Sequence, residues 1–148
     1  MSKTSDAGER RRATRDLTDH LPEERQEMWV LYERLSGVGP YEDQAEPGRL
    51  PEFVHVLVDY IAAGHFGLYE RIVSGQERRK RVVEKAQQLY PQIAATTEVA
   101  VAFNDKYEGT DPIKVTETLT HDLSQLGEAL AIRAELEDTL IDTLFDSV

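Results

Sequence analysis

The chain has 148 residues, of which 40% are hydrophobic and 30% charged, as expected for one globular domain. It carries 28 acidic residues against 17 basic ones, a net charge of −11, so direct binding of DNA or RNA is not expected and a basic protein partner is favoured. The absence of cysteine excludes disulfides and thiolate sites. No apolar run has the length of a membrane span and the N-terminus has no apolar signal region, so we expect a cytoplasmic protein without a membrane partner.

The first predicted helix follows a polar stretch, residues 1–15, which we expect to be either frayed or the first turns of that helix. The helix itself is predicted from about Asp16 to Ser36, and Pro22 either starts it or kinks it. Gly37 is a suitable C-terminal stop, and residues 37–50 predict a loop because they hold three glycines and two prolines. The apolar stripe of this helix consists of Leu17, Leu21, Met28, Leu31, Tyr32 and Leu35.

The second predicted helix, Phe53–Val73, has about five to six turns, with Pro51 in its first turn and its end near Gly75. Its core-facing stripe is Phe53, Leu57, Ile61, Gly64, Leu68 and Ile72. The opposite face places a phenylalanine between two carboxylates, in the order Asp59, Ala63, Phe66, Glu70. The small residues Ala62, Ala63 and Gly64 allow another element to approach closely near the middle.

Two further helical segments complete the pattern. Residues 76–107 carry a stripe that Pro91 interrupts, which predicts a kink or a break into two pieces. The stripe comprises Val82, Ala86, Leu89, Ile93, Thr97, Ala100 and Asn104. The last helix, from Pro112 to about Phe145, has a heptad-like seam of Leu119, Leu123, Leu126, Leu130, Arg133, Glu137, Leu140 and Leu144. No strand-like alternation is present.

This pattern predicts an all-α protein, an antiparallel up-down four-helix bundle. The bundle domain is expected to span residues 16–148, preceded by a flexible or partly helical N-terminus at residues 1–15.

Two positions of the last seam are charged, Arg133 and Glu137, one turn apart. Because an unpaired buried charge is very costly, they must pair with each other or with a neighbour. His65 and Asp138 lie at stripe edges, where they could join a buried polar network that fixes the register of the bundle. The alternative is a metal site, since di-iron bundles direct carboxylates and histidines inward from facing helices.

The histidines argue against that alternative. The chain has only His20, His55, His65 and His121, and only His65 lies near a core stripe. There is also no G-x-S-x-G motif and no glycine-rich phosphate loop. We therefore predict no catalytic residues and no cofactor.

Phe66 is the most informative residue of the second helix. An aromatic side chain with a charged rim is typical of an interface hot spot, which makes Asp59, Phe66 and Glu70 the candidate partner-binding residues. The alternative is that Phe66 packs beneath another helix of the same bundle.

The segment LVDYIAAGHFGLYERIV, residues 57–73, resembles the central motif of the Rsd/AlgQ family of bacterial regulators of the primary sigma factor. The similarity continues in LYPQIAATTEVAVAFND (residues 89–105) and LSQLGEALAIRAELEDTLI (residues 123–141), and more weakly over residues 17–40. Residues 1–15 and 41–50 do not match clearly.

The resemblance implies a helical bundle with a non-enzymatic activity, that of an anti-sigma factor. Such a protein binds region 4 of the primary sigma factor, a basic helix-turn-helix domain that reads the −35 promoter element, and reduces its use by RNA polymerase. By match to the motif, Asp59 and Phe66 would affect sigma binding. We expect no direct nucleic-acid contact and a monomer when unbound.

The motif also faintly resembles hemerythrin-like metal-binding four-helix bundles, which is the alternative function. That class would need a histidine near Arg133, where this chain has arginine.

Overall fold

The computed structural model describes residues 3–37, 46–76, 78–108 and 116–145, and no strand occurs among them. It consists of the four α-helices α1 (Lys3–Ser36), α2 (Leu50–Ala62), α3 (Lys80–Tyr107) and α4 (Thr116–Phe145). A 3₁₀ turn, Pro47–Arg49, precedes α2, and two π-helical segments, Ala63–Tyr69 and Ile72–Gln76, follow it. The predicted all-helical class is confirmed.

Helix α1 begins at Lys3 rather than near Asp16, so residues 3–15 of the polar stretch belong to the helix. Pro22 lies inside it and does not start it. Gly37 ends it as predicted: its φ of 72° is in the left-handed region that glycine adopts readily, and its N–H bonds to the Glu33 carbonyl at 2.8 Å.

Helix α3 is a single helix through Pro91, so the predicted break into two pieces is wrong. Pro91 is exposed and has no N–H, so one carbonyl oxygen of the preceding turn lacks its helical donor. Water can hydrogen-bond to that oxygen instead. The predicted start of the last helix at Pro112 lies outside the described residues, and α4 is described from Thr116.

The core lies where the predicted stripes meet. All six stripe residues of the second helix are buried, and so are all eight seam residues of α4. The stripe of α3 is shifted at two positions, because Thr96 and Phe103 are buried where Thr97 and Asn104 are only half-buried. Within the core, Phe53 packs edge-on against Phe103, with ring centroids 5.9 Å apart.

Residues 50–76 are helical nearly throughout, as predicted, but not as one α-helix. From Ala63 the turns widen, and the N–H of Glu70 bonds to the carbonyl of His65, five residues back. The widened segment AGHFGLY contains an alanine and two glycines, so few side chains crowd its turns. Such π-helical turns occur often at functional sites.

Candidate functional site

The outer side of α2 and its π-helical extension carries the three candidate partner-binding residues. Phe66 has 66% of its surface exposed, more than any other large hydrophobic residue described. Asp59 and Glu70 are also exposed, and the Asp59 carboxylate lies 3.5 Å from Nε2 of His55, one turn earlier. Of the two interpretations of Phe66, the structure therefore supports a surface position.

Phe66 is the first ring of a row of four that we call the aromatic row: Phe66, His65, Tyr69 and Tyr90. The Phe66 and His65 rings meet edge-on, with centroids 4.8 Å apart and an interplanar angle of 85°. His65 and Tyr69 are nearly parallel at 6.3 Å, and Tyr69 and Tyr90 are nearly parallel at 4.9 Å. The row thus continues from the π-helical segment onto α3.

The inner side of the same segment faces two buried charges of α4. A Cβ atom added to Gly64 would lie 2.8 Å from Oε2 of Glu137 and 3.0 Å from Nη2 of Arg133. Nη2 of Arg133 also lies 3.5 Å from the carbonyl oxygen of Ile61. The close approach predicted from the small residues is therefore confirmed, and the Arg133–Glu137 pair of α4 is what approaches.

Arg133 and Glu137 belong to a set that we call the buried polar cluster: Tyr60, Thr96, Thr97, Arg133 and Glu137. Arg133 and Glu137 are only 1% and 3% exposed. Nε of Arg133 donates to Oε2 of Glu137 at 3.2 Å, and the Tyr60 hydroxyl donates to Oε1 of the same carboxylate. Nη1 of Arg133 donates to the hydroxyls of Thr97 at 2.8 Å and Thr96 at 3.2 Å. Helices α2, α3 and α4 are thereby joined through one ion pair.

Arg25 adds α1 at the edge of this cluster. Its Nη1 lies 4.0 Å from Oε1 of Glu137 and donates to the Ala134 carbonyl at 3.1 Å. Its Nη2 donates to Oδ1 of Asp138 at 2.8 Å, and the Asp138 side chain is 59% exposed. Asp138 therefore reaches the cluster only through Arg25, from the surface.

His65 was predicted to join the same network, but the structure places its ring in the aromatic row. Gly64, which lies on the predicted core-facing stripe, faces Arg133 and Glu137, whereas the His65 ring at the edge of that stripe contacts Phe66 and Tyr69. Of the four predicted network residues, the structure brings Arg133 and Glu137 together, links Asp138 through Arg25, and leaves His65 outside.

Burial governs the titration of the cluster. Burial raises the pKa of Glu137, although the Tyr60 hydrogen bond and the charges of Arg133 and Arg25 act to lower it. Burial, together with the adjacent Glu137 carboxylate, strongly raises the pKa of Tyr60, which keeps its hydroxyl proton available to Glu137.

The sequence analysis did not assign six residues to the site: Arg25, Tyr60, Tyr69, Tyr90, Thr96 and Thr97. Thr97 gave a signal, because it is a hydroxyl-bearing residue within an apolar stripe. Tyr60 and Arg25 lie in the matched segments but gave no signal of burial or pairing.

In the part of the chain that the structure describes, no three His, Cys, Asp or Glu side chains are grouped to hold a metal ion. None of the helices described there is long and apolar enough to cross a membrane.

Comparison with known proteins gives a consistent result. Residues 1–145 match the model of the family described as "Regulator of RNA polymerase sigma(70) subunit, Rsd/AlgQ". A "Regulator of sigma D" from Shigella dysenteriae serotype 1 is 30% identical to the chain over 99% of its length and 95% of that protein's. Another from Yersinia enterocolitica is 34% identical over 89% of the chain and 82% of that protein. No solved structure matches the chain.

Proposed function

Because the chain belongs to the Rsd/AlgQ family of regulators of the RNA polymerase sigma(70) subunit, we propose that it is an anti-sigma factor that binds region 4 of the primary sigma factor of its own cell. Bound there, it would reduce the use of that factor by RNA polymerase. The family indicates a regulatory role and not an enzymatic one.

The observation that carries this proposal is the exposed Phe66 with carboxylates on either side of it in the helix. A large aromatic side chain in water, surrounded by charged residues, has the composition of an interface hot spot with its polar rim. Region 4 of a primary sigma factor is basic, so the net charge of −11 complements it. Asp59, Phe66 and Glu70 are the residues that we assign to this contact.

The proposed mechanism is sequestration. Region 4 uses one surface for the −35 element and for the core polymerase, and a bound acidic protein would cover that surface. Charge complementarity would mainly accelerate association, whereas the Phe66 contact would slow dissociation.

We also propose that the unbound protein is a monomer in the cytoplasm and that its helices run up and down in an antiparallel bundle. Support for the topology comes from packing, because each helix packs against the next one along the chain, α1 on α2, α2 on α3 and α3 on α4. Only residues 77–79 separate the second π-helical segment from α3, and residues 108–115 separate α3 from α4, which are lengths typical of antiparallel neighbours.

Titration of the purified region 4 domain with the full chain tests the proposal. We expect a one-to-one complex whose association rate falls as ionic strength rises, because salt screens the attraction between an acidic and a basic surface. The complex should also compete with a duplex that carries the −35 element. A chain that does not bind region 4 at low salt would overturn the function, and an association rate independent of salt would overturn the electrostatic part.

A further inference from the structure

The aromatic row extends past the residues that the proposed function uses. Phe66 at one end belongs to the π-helical segment, whereas Tyr90 at the other end belongs to α3. Both ends are exposed, Phe66 by 66% and Tyr90 by 43%, and the two middle rings are half-buried. The row is therefore a continuous aromatic surface across two helices with an accessible ring at each end.

Stacking between the helices explains only part of this arrangement. Tyr69 and Tyr90 are nearly parallel at 4.9 Å, which holds α3 to the π-helical segment. A stacked ring uses one face for its neighbour, however, and Tyr90 is still 43% exposed. Glu70, which is exposed, directly follows Tyr69 in the chain.

We propose that Tyr90 is a second contact point for the bound partner and that its exposed ring face takes an arginine side chain of that partner. The inference rests on the proposed function, because it concerns the same basic partner. The face of an aromatic ring attracts a cation, and a planar guanidinium stacks on it better than an ammonium does. The net charge of −11 favours a cation as the ligand of this ring over a neutral apolar group.

The test compares two replacements of Tyr90 in the titration with region 4 at fixed low salt. Tyr90→Leu keeps an apolar side chain of similar size but has no ring face, so we expect the affinity to fall by roughly three- to thirtyfold. Tyr90→Phe keeps the ring and should restore most of the affinity. Val101→Ala is the matched control, because Val101 is also an exposed apolar residue of α3, at 48%, but is outside the aromatic row. It should bind like the unmodified chain.

Replacements in the partner supply a second readout, which separates the loss of one contact from a general loss of affinity in Tyr90→Leu. Each arginine of region 4 is replaced by alanine, and we expect one replacement whose effect is several-fold smaller on Tyr90→Leu than on the unmodified chain. Equal affinity of Tyr90→Leu and the unmodified chain would overturn the inference, as would the absence of any coupled arginine. If Phe66→Ala weakens binding in the same experiments, the proposed function stands even when this inference fails.

Discussion

The outer and inner sides of the segment around residues 59–70 depart from the usual distribution of side chains in opposite directions. On the outer side a phenylalanine is exposed, and on the inner side Gly64 packs against an arginine and a glutamate that are both buried. The buried charges have partners on three helices of the same chain, so their interactions are complete. Phe66 contacts His65 edge-on and is otherwise largely open to water. The buried charges thus find their partners within the fold, whereas the exposed phenylalanine is the candidate contact for a second protein.

The largest expected effect on stability comes from removing one charge of the buried pair on the inner side. Arg133→Ala should lower the free energy of unfolding by about 3 to 5 kcal/mol, because it leaves the Glu137 carboxylate buried without its counter-charge. Glu137→Ala should cost about as much, since it leaves the Arg133 guanidinium unpaired. Urea denaturation of the two variants measures both losses.

Replacing both charged residues together separates the stability lost with the ion pair from the cost of leaving one charge buried without a partner. Arg133→Met combined with Glu137→Leu and Tyr60→Phe removes both charges and the hydroxyl that would otherwise lose its acceptor. This triple variant should be far more stable than either single alanine variant. Small and equal losses of stability in both alanine variants and the triple variant would show that the Arg133–Glu137 pair is not effectively shielded from water.

The next effect concerns the outer side. Phe66→Ala should weaken region 4 binding by about 2 kcal/mol or more, because the ring is the proposed anchor of the contact. Its melting temperature should hardly change, since removal of an exposed side chain usually alters stability by less than about 0.5 kcal/mol.

Ile132→Ala is the control for Phe66→Ala, because Ile132 is 49% exposed on α4 and outside the proposed contact. It should change neither binding nor melting. A Phe66→Ala protein that melts far below the unmodified chain, yet binds normally where it is folded, would assign Phe66 to the structure and not to the partner.

The sequence was sufficient for the features that depend on spacing along one helix. The seam Leu119–Leu144 repeats every three or four residues, so both the burial of its leucines and the enclosure of Arg133 and Glu137 follow from regular helical geometry. The exposed position of Phe66 was one of two alternatives left open, because helical spacing does not show whether another helix covers a given face.

Features that depend on contacts between helices could not be predicted from the spacing of residues along one helix. Nothing in the spacing indicates that Tyr60 donates to Glu137, or that Tyr69 stacks on Tyr90, because these pairs are set by how separate helices pack. The wheel placed His65 at the edge of the core stripe, and spacing alone did not show that its ring contacts Phe66 and Tyr69 instead of the buried ion pair.

Gly64 lies in the same segment as Phe66 and packs against the buried pair, and we expect its substitution to have a smaller effect on stability. Gly64→Ala should lower the free energy of unfolding by about 1 to 3 kcal/mol, because the added Cβ would displace hydrogen-bonded atoms of Glu137 and Arg133. Gly48→Ala is the matched control, since no atom beyond the adjacent residues lies within 4 Å of the added Cβ there, and it should change stability by less than about 0.5 kcal/mol. Equal melting of the two variants would show that the inner side has room to adjust.

The smallest effect is a dependence of stability on pH that comes from Glu137. Burial raises the pKa of this carboxyl in the folded chain above its ordinary value of 4.5, so between these two values the folded state binds more protons than the unfolded state. The contribution of Glu137 to stability is therefore fully present below about pH 4.5 and is lost as the pH rises through the raised pKa. Urea denaturation of the unmodified chain and of Glu137→Gln, at several pH values from about 4 to 7, isolates this contribution as a difference that shrinks with increasing pH.

Tyr60→Phe sharpens this test because it changes the titration of Glu137 without removing the carboxyl. The Tyr60 hydrogen bond lowers the pKa of Glu137, so its loss should raise that pKa further and extend the fall in stability to higher pH. The same comparison with Glu137→Gln, now made in the Tyr60→Phe background, should show the wider pH range. A difference that grows with increasing pH in either background would mean that the ion pair with Arg133 outweighs burial, and that the pKa of Glu137 is lowered in the folded protein.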